Sequence, residues 1–111
     1  MILKHRHTAL VTRDVLRIKA YYEGLGLQTY YSEVETWGRK VITVVKLATP
    51  SGDPVLELIE GPWRNHVCFE VDKIPPGIYL YQKRDGDGNR TVFIDDPDGN
   101  LIELTEIKEV P

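Results

Sequence analysis

Apolar residues along this chain follow two periods. From His5 to Val11 they alternate, with His5, His7, Ala9 and Val11 on one side and Arg6, Thr8 and Leu10 on the other, which predicts a short strand. From Val15 the period lengthens. Val15, Ile18, Tyr21 or Tyr22, and Leu25 recur at helical spacing, with Arg17, Lys19 and Glu23 on the opposite face. Thr12 or Asp14 caps this helix at its start, and Gly24 and Gly26 end it. Extended pattern then returns. Gln28 to Val34 holds the strand-favouring pair Tyr30-Tyr31, Trp37-Gly38 marks a turn, and Lys40 to Leu47 is a β-branched run. A loop at 49–54 leads into Val55-Leu56-Glu57-Leu58-Ile59. The first half therefore reads strand, helix, strand, strand, strand.

Residues 61–65, Gly-Pro-Trp-Arg-Asn, read as a linker between a first module at 1–60 and a second at 66–111. The second module opens as the first does, with a histidine leading a strand, His66 in HVCFEV. A helix is due next, but Pro75 and Pro76 break any helical register. Residues 78–94 read instead as a hairpin about the turn DGDGN at 85–89. That run opens like a calcium loop. Arg90 and Asp96 stand where such a loop needs glycine and glutamate, so a hairpin turn is the better reading. The chain closes on the turn Asp96-Pro97-Asp98-Gly99-Asn100 and the strand Leu101 to Glu106, with Leu101, Glu103 and Thr105 on one face.

At 111 residues the chain is one domain, with 41% apolar and 28% charged residues and a net charge of -3. Basic residues are scattered, which excludes a nucleic-acid footprint. No apolar run approaches a membrane span and nothing reads as a signal peptide, so the expected location is the cytoplasm. The single cysteine, Cys68, forms no disulfide within the chain. No cation is evident beside it in the sequence, and a small buried hydrophobe is the expected role.

The chemistry lies in four strands. Glu57 and Glu103 each sit mid-strand between apolar residues, His66 opens a third strand and His7 sits in a fourth. A mid-strand carboxylate either faces water or ligates something. One histidine or glutamate on each of four strands is a metal-site inventory, with His5 a competitor for His7 because both share a face. Imidazole with carboxylate suits zinc, nickel, manganese, iron or cobalt, and four such ligands leave positions for substrate on an octahedral ion.

The helix ending YYEGLGL, the midpoint HVCFEV and above all the closing DPDGN followed by IEL make the chain resemble the vicinal oxygen chelate superfamily, of glyoxalase I and bleomycin-resistance type. The resemblance covers nearly the whole chain. It implies an α+β fold of paired βαβββ modules forming a curled mixed sheet of half-barrels, here with the second module lacking most of its helix. It implies metal ligands at His7, Glu57, His66 and Glu103, the complete glyoxalase I set. Ring-cleaving dioxygenases do without the module-one glutamate, and methylmalonyl-CoA epimerase typically has glutamine there. The implied activity is that of a lactoylglutathione lyase-like metalloenzyme: proton transfer through an enediolate on a small oxygen-chelating substrate, with Glu103 or Glu57 as the base. Epimerisation by the same mechanism is the alternative. A metal-free drug-sequestering module, walled by Trp37, Trp63 and the tyrosines, is the reading from another class. The resemblance also implies a homodimer, in which sites can draw ligands from both subunits. Two expected glutathione contacts are missing: Val11 replaces an arginine and Gly61 an asparagine.

Overall fold

The structure, a computed structural model, describes residues 1–107; residues 108–111 of the second module lie outside the described residues. The elements run β1 (Ile2–Thr12), α1 (Val15–Gly24), β2 (Gln28–Trp37), β3 (Lys40–Ala48), β4 (Pro54–Glu60), β5 (His66–Val71), β6 (Tyr81–Arg84), β7 (Arg90–Asp95) and β8 (Leu101–Glu106). This is the expected α+β arrangement of paired modules with mixed sheets, the second without its helix. The chain forms two compact units. One is His7–Asn65; the other joins Met1–Arg6 to the chain from His66 onward. Among the described residues no helix is long and apolar enough to cross a membrane.

In the unit His7–Asn65 the strand order is β2-β3-β4-β1, antiparallel until the parallel β4/β1 pair. Asp14 caps α1 by accepting the Arg17 N–H at 3.2 Å, and Thr12 Oγ1 receives the Asp14 N–H. The helix lays Val15, Ile18 and Tyr22 on one sheet face, against Val45, Leu47, Leu58, Leu10 and Leu56. Strand alternation sends the other side chains to the helix-free face, Glu57 among them, with Ala9 and Lys46 directly across from it on β1 and β3.

In the other unit the order is β1-β5-β8-β7-β6, with β5 and β8 parallel. The expected hairpin is present but starts at Tyr81, three residues later than the alternation suggests. Ile78 and Leu80 remain 96% and 58% exposed. The prolines explain the shortening: Pro75 and Pro76 have no N–H to pair, and the chain bends through 72–80 instead. That segment takes over the helix's covering role. Ile74 and Tyr79 pack on Val71, Val92 and Leu104. The Ile74 N–H is pinned to Glu106 at 2.9 Å, and the Tyr79 hydroxyl donates to the Pro75 carbonyl.

Three strand connections share one five-residue form, TPSGD at 49–53, DGDGN at 85–89 and DPDGN at 96–100. In each, the first N–H donates to the fifth carbonyl at 2.9 Å, and the fourth residue is a glycine at positive φ. Asp85 Oδ1 accepts the Asp87 and Asn89 N–H groups, and Asp96 Oδ1 those of Asp98 and Asn100. Side-chain and backbone hydrogen bonds from Asn100 hold the Asp96 carboxyl below its ordinary value.

Candidate metal centre

Each unit brings one histidine to one glutamate, by the same register. In the parallel pair β1/β4, Ala9 lies opposite Glu57, and His7 is two residues before Ala9 on the same face. In the parallel pair β5/β8, Cys68 lies opposite Glu103, and His66 is two residues before Cys68. The residue opposite each glutamate is small, which leaves the imidazole room to reach it diagonally. His7 Nε2 lies 2.8 Å from Glu57 Oε2, and His66 Nε2 lies 3.2 Å from Glu103 Oε1. Glu57, His66 and Glu103 are 5%, 4% and 7% exposed, so neither glutamate lies on a solvated face.

His5, two residues before His7 on β1, is exposed, and its ring meets the edge of Phe69 at 6.1 Å.

Burying imidazole and carboxylate costs several kcal/mol unless each is paired. Each pair meets that need by an internal contact, and each presents one nitrogen and one oxygen donor. These are the donor types that a divalent transition ion takes in place of the proton they would otherwise share. The residues therefore fit a metal.

Around Glu103 the structure adds residues that sequence reading did not single out. Thr91 is fully buried and lies 2.9 Å from Glu103 Oε2, with Thr105 behind it. A threonine inside the apolar run TVFID was the available signal. Arg6 Nη1 pairs with Asp85 Oδ2 at 3.2 Å. Burial works against the Arg6 charge, but Cys68, Asp85, Glu70 and Glu103 outweigh it and raise the guanidinium above its usual value. The Cys68 thiol is fully buried, as a small hydrophobe would be.

On the helix-free face of the unit His7–Asn65, the Tyr31 hydroxyl donates to Glu35 at 2.8 Å and Trp37 Nε1 to the same carboxylate at 2.7 Å. Burial, then the Glu35 hydrogen bond and charge, push the Tyr31 phenol up to about 12. Lys46 stands 4.6 Å over the Tyr31 ring. Trp37 and Trp63 meet edge to face at 5.3 Å, with Lys40 over Trp63. Of the residues expected to form walls, Trp37, Trp63 and Tyr31 come together here, whereas Tyr22 packs beneath the helix and Tyr79 and Tyr81 belong to the other unit.

Of the two positions expected to carry glutathione contacts, Gly61 has a steric reason to differ. Gly61 has φ 144, and a Cβ there would lie 2.9 Å from both the Val41 carbonyl oxygen and Ile42 Cδ1, so no side chain fits. The Val11 N–H is held by Asn65 Oδ1 at 2.7 Å.

No protein-family model matches the chain, and no curated protein sequence does. Solved structures do. Methylmalonyl-CoA epimerase from Mycobacterium tuberculosis is 19% identical over 97% of this chain and 90% of its own, with a TM-score of 0.72. Methylmalonyl-CoA epimerase from Streptomyces coelicolor, in complex with 2-nitronate-propionyl-CoA, is 18% identical over 96% and 98%, at 0.65. Glyoxalase I from Zea mays is 18% identical over 98% of this chain and 45% of its own, at 0.59. Epimerase and glyoxalase share one architecture here, and the chain has that architecture, the fold of the vicinal oxygen chelate superfamily.

Proposed function

We propose that the protein is a metal-dependent, glyoxalase-like lyase or isomerase that moves a proton on a small oxygen-chelating substrate. What carries the reading is the repeated register that gives each unit one histidine paired with a buried glutamate. His7, Glu57, His66 and Glu103 are the proposed ligands of one divalent transition ion, zinc, nickel, manganese, iron or cobalt. When bound, that ion would polarise adjacent substrate oxygens and acidify the carbon between them. Glu103 is the proposed base, with Glu57 as the other candidate; either takes a proton from one carbon and returns it to the same carbon or its neighbour. Before the ion binds, the contacts of His7 with Glu57 and of His66 with Glu103 hold each ligand pair together.

Epimerisation is the second reading, and specific observations bear on it. Glu57 stands on the glyoxalase side, whereas Val11 and the space-limited Gly61 leave glutathione without its expected contacts. An acyl substrate other than a glutathione adduct fits these facts. The proposed working form is a cytoplasmic homodimer, and the lone buried thiol of Cys68 is in keeping with a reducing compartment.

The test is α-proton exchange in D2O, followed by NMR, on a hemithioacetal and on a 2-methyl-branched acyl thioester. Metal-dependent deuteration of either is expected, with solvent exchange at one centre marking an epimerase. Exchange that persists unchanged after chelation would remove the metal from the account. No exchange on either substrate by metal-loaded protein would favour the binding module.

A further inference from the structure

We infer that Thr91 is the positioning residue of the Glu103 carboxylate: its hydroxyl holds Oε2, backed by Thr105 and Cys68, and so keeps Oε1 turned to His66. That Glu103 is a ligand and base rests on the proposed function; that Thr91 positions it is a matter of hydrogen bonding within one unit.

Counting protons gives the direction of the network. Thr91 Oγ1 lies 2.9 Å from Glu103 Oε2, 3.1 Å from the Leu104 carbonyl oxygen and 2.9 Å from Thr105 Oγ1. A hydroxyl has one proton, and an ionised carboxylate and a carbonyl only accept. The Thr91 proton therefore goes to Glu103, shared with Leu104, and Thr105 must donate to Thr91. Thr105 has then spent its own proton, so the 3.6 Å contact with Cys68 Sγ is made by the thiol donating to Thr105. The chain of donors runs Cys68 to Thr105 to Thr91 to Glu103.

Every member is buried, at 7% exposure or less, where such chains polarise one another and where a half-satisfied group is costly. The two carboxylate oxygens thereby receive separate tasks. Oε2 is held by Thr91, and Oε1 lies 3.2 Å from His66 Nε2. The register makes this possible: Thr91 pairs with Thr105 across β7/β8, one same-face step from Glu103.

The substitutions Thr91→Val, which keeps the shape and removes the hydroxyl, and Thr91→Ser, which keeps the hydroxyl, separate positioning from packing. The readouts are the Glu103 conformation in crystal structures, zinc affinity by competition with a chromophoric chelator, and kcat against KM for α-proton exchange. In Thr91→Val, Glu103 should turn away from His66, and zinc affinity should fall about 10-fold. The kcat should fall with little change in KM, and Thr91→Ser should restore all three. Glu103 unmoved and zinc affinity within about 2-fold of wild type would overturn the inference, as would a serine variant as impaired as the valine one. If Thr91→Val does not fold, Thr105→Val removes the donor behind Thr91; an intermediate loss of zinc affinity supports the chain, and an unchanged affinity contradicts it. Wild-type protein that binds no zinc, nickel or manganese would sink the metal reading alone, and the Glu103 conformation in the Thr91 variants would still decide the positioning.

Discussion

Replacing Gly61 with alanine should destabilise the protein far more than the same change at other left-handed glycines. Two costs add at this position. A φ of 144 is a conformation that L side chains rarely adopt, and holding one there costs about 1–3 kcal/mol. The added Cβ would also lie 2.9 Å from the Val41 carbonyl oxygen and 2.9 Å from Ile42 Cδ1. The isoleucine tip can swing aside. The carbonyl belongs to β3 and cannot, so the overlap adds about 1–3 kcal/mol. The loss of unfolded-state freedom returns about 0.4–1 kcal/mol, leaving a net cost near 3 kcal/mol.

Gly52 supplies the control. Its φ is 93, but a Cβ there meets nothing within 4 Å, so Gly52→Ala carries the conformational cost alone. Equilibrium unfolding in urea should place the Gly61→Ala midpoint about 2 M below wild type at an m of about 1.5 kcal/mol/M, with Gly52→Ala less than half as far. Equal shifts for the two variants would refute the steric argument. They would also reopen position 61 to a substrate-binding side chain.

Other outcomes follow from the same structure. Tyr31 should ionise near 12 in a 295 nm titration, against 10 for an ordinary phenol, and Glu35→Gln should bring it back toward 10. Because its folded value is raised, the stability this phenol contributes is complete below pH 10 and is lost as pH rises through 12; a Tyr31→Phe variant should lose less stability over that window. Cys68, fully buried, should react with a thiol reagent only as fast as the protein unfolds; rapid reaction in the native state would contradict its burial. Leu16 and Tyr21 on α1, Leu25 just after it, and Val34 and Val41 on β2 and β3 are exposed, and sedimentation should show a dimer at micromolar concentration rather than a stable monomer.

The elements with a strong period were legible. The helix, the β-branched strand β3 and the turn-bounded β8 lie where their residues place them. The hairpin start was not, because alternation from Ile78 suggests a strand that the preceding prolines and the packing of Tyr79 prevent. The four ligand candidates could be named from sequence, but their pairing could not. Which glutamate meets which histidine depends on parallel register across long sequence separations, and only the structure supplies that. His5 and His7 share a strand face, so alternation cannot rank them; in the structure His7 meets Glu57, while His5 is exposed beside Phe69. Thr91 escaped notice because a buried threonine in a strand is ordinary until the carboxylate beside it is seen.

Elemental analysis of protein purified without chelator or affinity resin tests the central claim most directly. The account predicts about one divalent transition ion per chain, reduced in His7→Ala, Glu57→Gln, His66→Ala and Glu103→Gln and unchanged in His5→Ala. Metal-free wild type that fails to load with zinc, nickel or manganese would contradict it.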